Sequence, residues 1–377
     1  MKNSYNILII DLKKGFLDKL TLDQSKVHMG NLSFGFKFLE KHKILGDFLA
    51  IFTSAILNID NPISKFMVMT RDNGKLSYKS IGGSFGPYLK TNDIDGLVLV
   101  NKASYLIDLY IHNDSIKFNK VENLSLNMET YDQLKNIYGK DTSSFYITKA
   151  ASITPMARLI EDKYSGISHG SANILYKQNI RSLSVKKSNL QRLDKVDFFE
   201  NNPNRKCPRC PLGCLYPSNS KKTNIFTPSD DFRNNENKIL YKLKEDLDEY
   251  GIDIFSLSNA IKYAYTNLND IYNFSNLSPY NLKNICDELL DSPRESYREL
   301  LYGREYLESK YGIEKSKRKK YNDNSLIIDS AGLCIFAIDP NNLDNILATI
   351  NRLSGKSYDK DDASEIINYT KRKLKLI

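Results

Sequence analysis

The sequence predicts an α+β protein: a β-rich N-terminal domain followed by mostly helical C-terminal domains. Three observations predict it. Short apolar or alternating runs separated by turn residues fill residues 1 to about 190, and from about residue 235 the apolar period changes from two to 3.6. Between them lies a polar stretch that carries a cysteine cluster. The expected division is 1–190 for the β-rich domain, 191–234 for a connector with the cysteines, and 235–377 for the helical domains.

The elements follow in chain order. Tyr5 to Leu12, Phe48 to Thr53, Phe66 to Thr70, Leu97 to Asn101, Tyr105 to Ile111, Phe145 to Thr148 and Ile180 to Val185 have strand length and strand composition. Asp60-Asn61-Pro62, Asp72-Asn73-Gly74 and His112-Asn113-Asp114 punctuate them as turns. Short helices are expected at Ser33 to Lys41 and after Gly82-Gly83, and no internal repeat is visible. Further on, Ile239, Leu240, Leu243, Leu247 and Tyr250 share one helical face, and Gly251 provides the stop. Segments 254–267, 279–290, 293–310 and 361–374 also read as helices, as does the periodic run from Leu343 to Leu353. A second polar connector is expected at 314–325.

The chain of 377 residues has room for two or three domains. Its 54 Lys and Arg against 45 acids give a formal charge of +9, which on its face suits an acidic partner or nucleic acid. No zinc finger or aromatic RNA-binding signature accompanies that charge. A coding bias toward Asn, Ile, Lys and Tyr is the favoured explanation of it, and the Lys315 to Lys320 run reads as a solvated loop. Apolar runs stay far below the ~18 residues of a membrane span, and Ile7 to Ile10 is too short for a signal-peptide core. The expectation is a cytoplasmic protein with no membrane or nucleic-acid partner, whose cysteines are free, catalytic or metal-bound.

Cys207-Pro-Arg-Cys210-Pro-Leu-Gly-Cys214 is the strongest chemical signal. Three thiolates within eight residues can converge on one soft metal centre, with Pro208 and Pro211 restricting the loop and Gly213 able to supply a positive φ before the last ligand. Iron–sulfur clusters and structural zinc both take four thiolates, so a fourth must come from elsewhere. Cys286 falls at a buried position of an amphipathic helix, which suits a small hydrophobe; Cys334, after Gly332, is preferred as the fourth ligand. Spacing leaves both iron–sulfur and zinc open, with iron–sulfur favoured.

A short pattern occurs twice: Asp248-Glu-Tyr-Gly251-Ile-Asp253 and Asp329-Ser-Ala-Gly332-Leu333-Cys334. Each places a carboxylate at a helix C-terminus, where it opposes the macrodipole and calls for a partner, and a glycine where the chain reverses. Ordinary glycine capping explains one copy. Two copies, one ending in the presumed cluster ligand, point to a ligand rich in N–H donors.

These motifs, in this order, resemble the aldehyde ferredoxin oxidoreductase family. The N-terminal half agrees: Ser80-Ile-Gly82-Gly83-Ser-Phe-Gly86-Pro-Tyr-Leu-Lys90 and Asp95-Gly-Leu-Val-Leu-Val-Asn-Lys-Ala103 are similar to two of the family's blocks, and 177–185 to one of its strands. The resemblance implies a tungsten or molybdenum ion held by two pterins, with a 4Fe-4S cluster on Cys207, Cys210, Cys214 and Cys334. It implies that Asp248, Asp253 and Asp329 accept hydrogen bonds from the pterins, that Gly251, Gly332 and Leu333 complete those turns, and that Gly82 and Gly83 approach the cofactor closely. The implied reaction is oxidation of an aldehyde to a carboxylic acid with electrons passed to ferredoxin; a homodimer is left open.

The departures from that family are specific. The segment that brings a histidine is reduced here to 312–325 and holds none. Asp231, in Thr227-Pro-Ser-Asp-Asp231-Phe, takes the place of a glutamate and is the candidate acid or base. Lys65 stands where the family has an arginine, and Ile167-Ser-His169-Gly170 where it has a Gly-Arg-Gly-Gly-like loop. Two readings stand beside the enzyme: a cluster-retaining electron-transfer or accessory protein, and a structural zinc protein.

Overall fold

The computed structural model describes residues 4–23, 29–55, 65–72, 74–162, 165–167, 171–188, 225–226, 235–291, 295–312, 322–334 and 338–374. Its first unit runs β1 (Ser4–Asp11), β2 (Phe16–Asp23), α1 (Asn31–Lys41), β3 (Phe48–Thr53), β4 (Phe66–Asp72), β5 (Lys75–Ile81), α2 (Phe85–Thr91) and β6 (Gly96–Val100), and its sheet has the order β2-β1-β6-β3-β4-β5. The second unit runs β7 (Ile107–His112), β8 (Ser115–Lys120), α3 (Asn127–Tyr138), β9 (Thr142–Tyr146), the short α4 (Ala150–Ile153), β10 (Leu159–Glu161), β11 (Ser165–Ile167), α5 (Ser171–Lys177) and β12 (Ile180–Lys186). Its sheet has the order β11-β10-β9-β12-β7-β8.

Read from its other edge, the second order is the first. The senses agree as well: β1 with β6 and β7 with β12 are parallel, and every other pair in both sheets is antiparallel. The N-terminal half is therefore a structural repeat, which corrects the sequence reading that found none. The repeat escapes notice because the two copies put different chemistry on their outer faces. Register pairs Leu8 with Leu97 in one and Leu109 with Leu183 in the other; one residue away, Ile7 of the first copy corresponds to Asp108 of the second.

Strand alternation sends one apolar row of each sheet inward. Leu8, Ile10, Leu49, Ile51, Leu97 and Leu99 of the first sheet join Leu109, Ile111, Phe145, Leu183 and Val185 of the second in one core, with α2 and α5 contributing Phe85, Leu89, Ile174 and Leu175. Phe66, Phe85 and Phe145 pack with ring centroids 4.6 to 6.3 Å apart, where burial contributes about 1.5–3 kcal/mol per side chain. Outside the first sheet, Tyr5, Ile7, Phe48, Phe52 and Met67 are sealed by α1.

The remaining elements are helices: α6 (Asn235–Tyr250), α7 (Ile254–Asn267), α8 (Asn269–Tyr272), α9 (Pro279–Asp291), α10 (Glu295–Leu300), α11 (Arg304–Tyr311), α12 (Asp323–Ala331), α13 (Leu343–Ser354) and α14 (Lys360–Leu374). The helix expected at 293–310 is two, broken at Gly303 with φ 87°. The connector expected at 314–325 already contains the start of α12, where the Asn322 side chain accepts from the Asn324 N–H at 3.0 Å. Most of the connector 191–234 lies outside the described residues. The helices α12 and α14 pack on α1, against the first sheet, whereas α6, α7 and α9 join the core between the sheets. Among the described residues, no helix is long and apolar enough to cross a membrane.

Candidate functional site: two equivalent turns on two equivalent strands

Helix α12 ends at Gly332, whose φ of 74° only glycine adopts without strain. Its carbonyl accepts from the Lys65 N–H at 2.7 Å, just before β4, and the Ser54 hydroxyl donates to Ala331 O at 2.7 Å. The packing leaves no room for a side chain: a Cβ on Gly332 would lie 2.8 Å from Lys65 O and 2.8 Å from Ser54 Cβ. The first motif turn is thereby clamped to the first sheet.

The second turn repeats this. Gly251 has φ 79°; its carbonyl accepts from the Arg158 N–H at 2.8 Å, just before β10, and the Thr148 hydroxyl donates to Tyr250 O. Lys65 and Arg158, Ser54 and Thr148, Gly332 and Gly251 are therefore three equivalent pairs. The chain then crosses to Asp253, whose N–H donates to Met156 O at 2.9 Å and whose carboxylate caps α7 through the Phe255 N–H at 3.3 Å and the Ser256 hydroxyl at 2.5 Å.

The two motif carboxylates differ in their surroundings. Asp248 lies 2.7 Å from Arg158 Nη1 and 3.4 Å from Lys244 Nζ, so the partner its place at a helix C-terminus demands is supplied within the chain. Asp329 is pushed up to about 6 by burial, against the lowering influence of the Ser80 hydroxyl, Lys65 and Lys79. Beside it, Asn31 donates Nδ2 to Lys65 O at 3.1 Å, while its buried Oδ1 has no hydrogen-bond partner among the described residues.

Gly82 and Gly83 form the loop between β5 and α2. Gly83 has φ 141°, and a Cβ there would collide with the carboxylate of Glu161, a residue only 1% exposed that reaches across from β10. That carboxylate accepts from the Phe85 N–H at 2.9 Å. The glycine is thus required by a buried acid of the opposite sheet as well as by any ligand approaching the loop.

Leu333 is fully buried, and Cys334 follows it at 3% exposure immediately beyond the Gly332 turn. Cys286 is fully buried in α9, and burial pushes its thiol well above the ordinary range, as befits the small hydrophobe expected there. Cys207, Cys210, Cys214, Asp231 and His169 lie outside the described residues. Among the described residues no three His, Cys, Asp or Glu side chains form a metal-holding group.

A pterin, the group the resemblance implies, presents a row of N–H donors. The first turn fits such a group: the poorly solvated Asp329 carboxyl and the unpartnered Asn31 Oδ1 are the acceptors that row needs. At the second turn Asp248 is already engaged by two cations, leaving it less acceptor capacity. Sequence reasoning missed Arg158, Ser54, Thr148, Asn31 and Glu161. The available signal was a cation directly ahead of an apolar strand, Lys65-Phe-Met and Arg158-Leu-Ile, repeated in both halves.

A family model described as the N-terminal domain of aldehyde ferredoxin oxidoreductase matches residues 7–187, which span both sheets. Among solved structures, the active site complex BamBC of benzoyl coenzyme A reductase in complex with 1,5-dienoyl-CoA superposes with a TM-score of 0.66, over 98% of this chain and 88% of that one. The two share 13% sequence identity, so the likeness is one of fold. No curated protein matches the chain in sequence. The paired sheets of the N-terminal half, residues 7–187, are thus a domain of the aldehyde ferredoxin oxidoreductase type.

Proposed function

We propose that the protein is an oxidoreductase of the aldehyde ferredoxin oxidoreductase type, oxidising an aldehyde to a carboxylic acid and delivering electrons to ferredoxin. The observation that carries this reading is the paired clamp: Lys65 N–H on Gly332 O and Arg158 N–H on Gly251 O set both D-x-x-G turns identically on the two sheets. A bis-pterin tungsten or molybdenum group supplies the two-electron chemistry when bound. The chain's own contribution is placement. Asp329 accepts N–H donors at the first turn, Asp248 and Asp253 flank the second, and Gly82 and Gly83 keep a loop free of side chains. Cys207, Cys210 and Cys214, with Cys334, are the thiolates of a 4Fe-4S cluster. Asp231 is the acid or base that handles the proton.

Anaerobic purification with metal analysis tests the reading. About four irons per chain with tungsten or molybdenum supports it. Iron alone supports the electron-transfer or accessory protein instead, and zinc alone removes redox function. Viologen reduction with a panel of aldehydes then examines the substrate class.

A further inference from the structure

The internal repeat exposes a difference between its copies that packing does not explain. With Ser54 and Thr148 equivalent, the strand registers make Ile7 correspond to Asp108, Ile9 to Tyr110, Leu20 to Asn119, Ala50 to Ser144 and Val98 to Ser184. The outer face that is apolar and sealed by α1 in the first copy is polar at these positions in the second, while Tyr146 and Ile160 keep apolar packing against Leu134 and Tyr138 of α3. There α3 covers only part of it and leaves a cleft of about 750 Å³.

The floor of this cleft holds Arg181 and Asp108, whose side chains are 5% and 2% exposed. Arg181 Nε and Nη2 meet the two Asp108 oxygens at 2.9 and 2.6 Å, and Nη1 donates to Gln133 Oε1 at 2.6 Å. A guanidinium has five N–H donors, so two remain beyond these bonds. Burying such a pair costs desolvation energy that an apolar pair would avoid, and the first copy shows the same fold without a charge at Ile7. Lys117, Lys120 and Lys186 stand around the cleft, against Glu122 as its second carboxylate, and Tyr110 stacks on Tyr138 at 4.5 Å as an aromatic wall. Neither Lys117 nor Lys186 is ion-paired among the described residues.

We propose that this cleft on the outer face of the second sheet binds a small aromatic anion, a phosphate ester or carboxylate. Its oxyanion meets Arg181, Lys117 and Lys186, and its ring lies against Tyr110. Arginine suits this role because its planar fork matches oxyanion geometry while Asp108 holds it in place. The site is separate from the motif turns and stands or falls without the redox reading.

Calorimetric titration of the full chain with phenyl phosphate, benzoate and inorganic phosphate, in separate arms, tests it. Phenyl phosphate or benzoate is expected to saturate one site per chain, and the stronger of the two identifies the oxyanion; inorganic phosphate, lacking the ring, binds more weakly. The double variant K117E/K186E, at an exposed and a half-buried position, is expected to weaken binding at least tenfold. The variant D108L/R181L, which removes both partners together, is expected to fold and to lose binding. Absence of saturation with both aromatic anions overturns the proposal, and so does binding that K117E/K186E leaves unchanged.

Discussion

Arg158 performs two tasks for one turn: its backbone N–H holds Gly251 O at 2.8 Å, and its Nη1 holds Asp248 Oδ1 at 2.7 Å. The second anchors the carboxylate that opposes the dipole of α6. Arg158→Ala keeps the backbone bond and strands Asp248 with Lys244 alone. Partial exposure of both side chains, 20% and 32%, keeps the pair well below the worth of a buried one. The expected loss is about 1 kcal/mol in urea unfolding. Arg158→Lys should recover only part of it, since a single ammonium lacks the fork. A loss above about 3 kcal/mol would show that the pair behaves as buried.

The motif glycines separate backbone strain from collision. Gly355 ends α13 at φ 65° with open space around its Cα, and Gly332 ends α12 at φ 74° against Lys65 O and Ser54 Cβ. Gly355→Ala should cost about 1 kcal/mol, the strain of a left-handed alanine. Gly332→Ala adds displacement of a whole helix end and should cost at least about 3 kcal/mol. Chemical denaturation of both variants compares them directly; equal losses would mean that the clamp on the first sheet yields easily.

Much of this arrangement was legible in the sequence. The runs Phe48 to Thr53 and 254–267 coincide with β3 and α7, because a continuous buried strand and a capped amphipathic helix each declare themselves locally. Gly251 and Gly332 were legible as helix stops for the same reason. Helix α3 and strands β10 and β11 were not. Asn127–Tyr138 buries only Asn127, Thr130, Leu134 and Tyr138, too sparse a stripe to read, and β10 and β11 are three residues each. The partners of the motif turns were hidden for another reason: Lys65, Arg158, Ser54 and Thr148 act through backbone groups or reach across some hundred or more residues, and neither leaves a local period.

Burial makes Asp329 a pH-sensitive element of the apo protein. A carboxyl whose folded pKa is about 6, against an ordinary value near 4, binds more protons folded than unfolded in between. Its contribution to stability therefore falls as pH rises through that window and is lowest above pH 6. Asp329→Asn removes the charge, so the variant should gain in melting temperature relative to the parent between pH 5 and pH 7.5. The gain should plateau at roughly 2–3 kcal/mol. A difference independent of pH would place the Asp329 carboxyl in the ordinary range.

Cys334 and Cys286 are both buried, yet only Cys334 adjoins a motif turn. In anaerobically prepared protein, Cys334→Ala should abolish or convert the cluster signal in electron paramagnetic resonance, and Cys286→Ala should leave it intact. Cys286, its thiol held protonated by burial, should also resist alkylation until the chain unfolds. The reverse pattern would exchange the two assignments.

Glu161 of β10 reaches the glycine loop at Gly83, and a double-mutant cycle can measure that link. Gly83→Ala pushes a methyl group into the carboxylate and strains a φ of 141°, so it should cost more than about 3 kcal/mol. Glu161→Ala opens that space but leaves the Phe85 N–H without the carboxylate acceptor it has at 2.9 Å, a loss of about 1–3 kcal/mol. Because the second change removes the collision in the first, the double variant should lose less than the sum by at least about 1 kcal/mol. Additive losses would mean that the glycine is kept for its φ alone, with the loop shaped independently of the second sheet. A positive coupling identifies Glu161 as the residue that sets the loop's path, and predicts that Glu161→Gln, which keeps an acceptor and nearly the same volume, preserves the loop where Glu161→Ala does not.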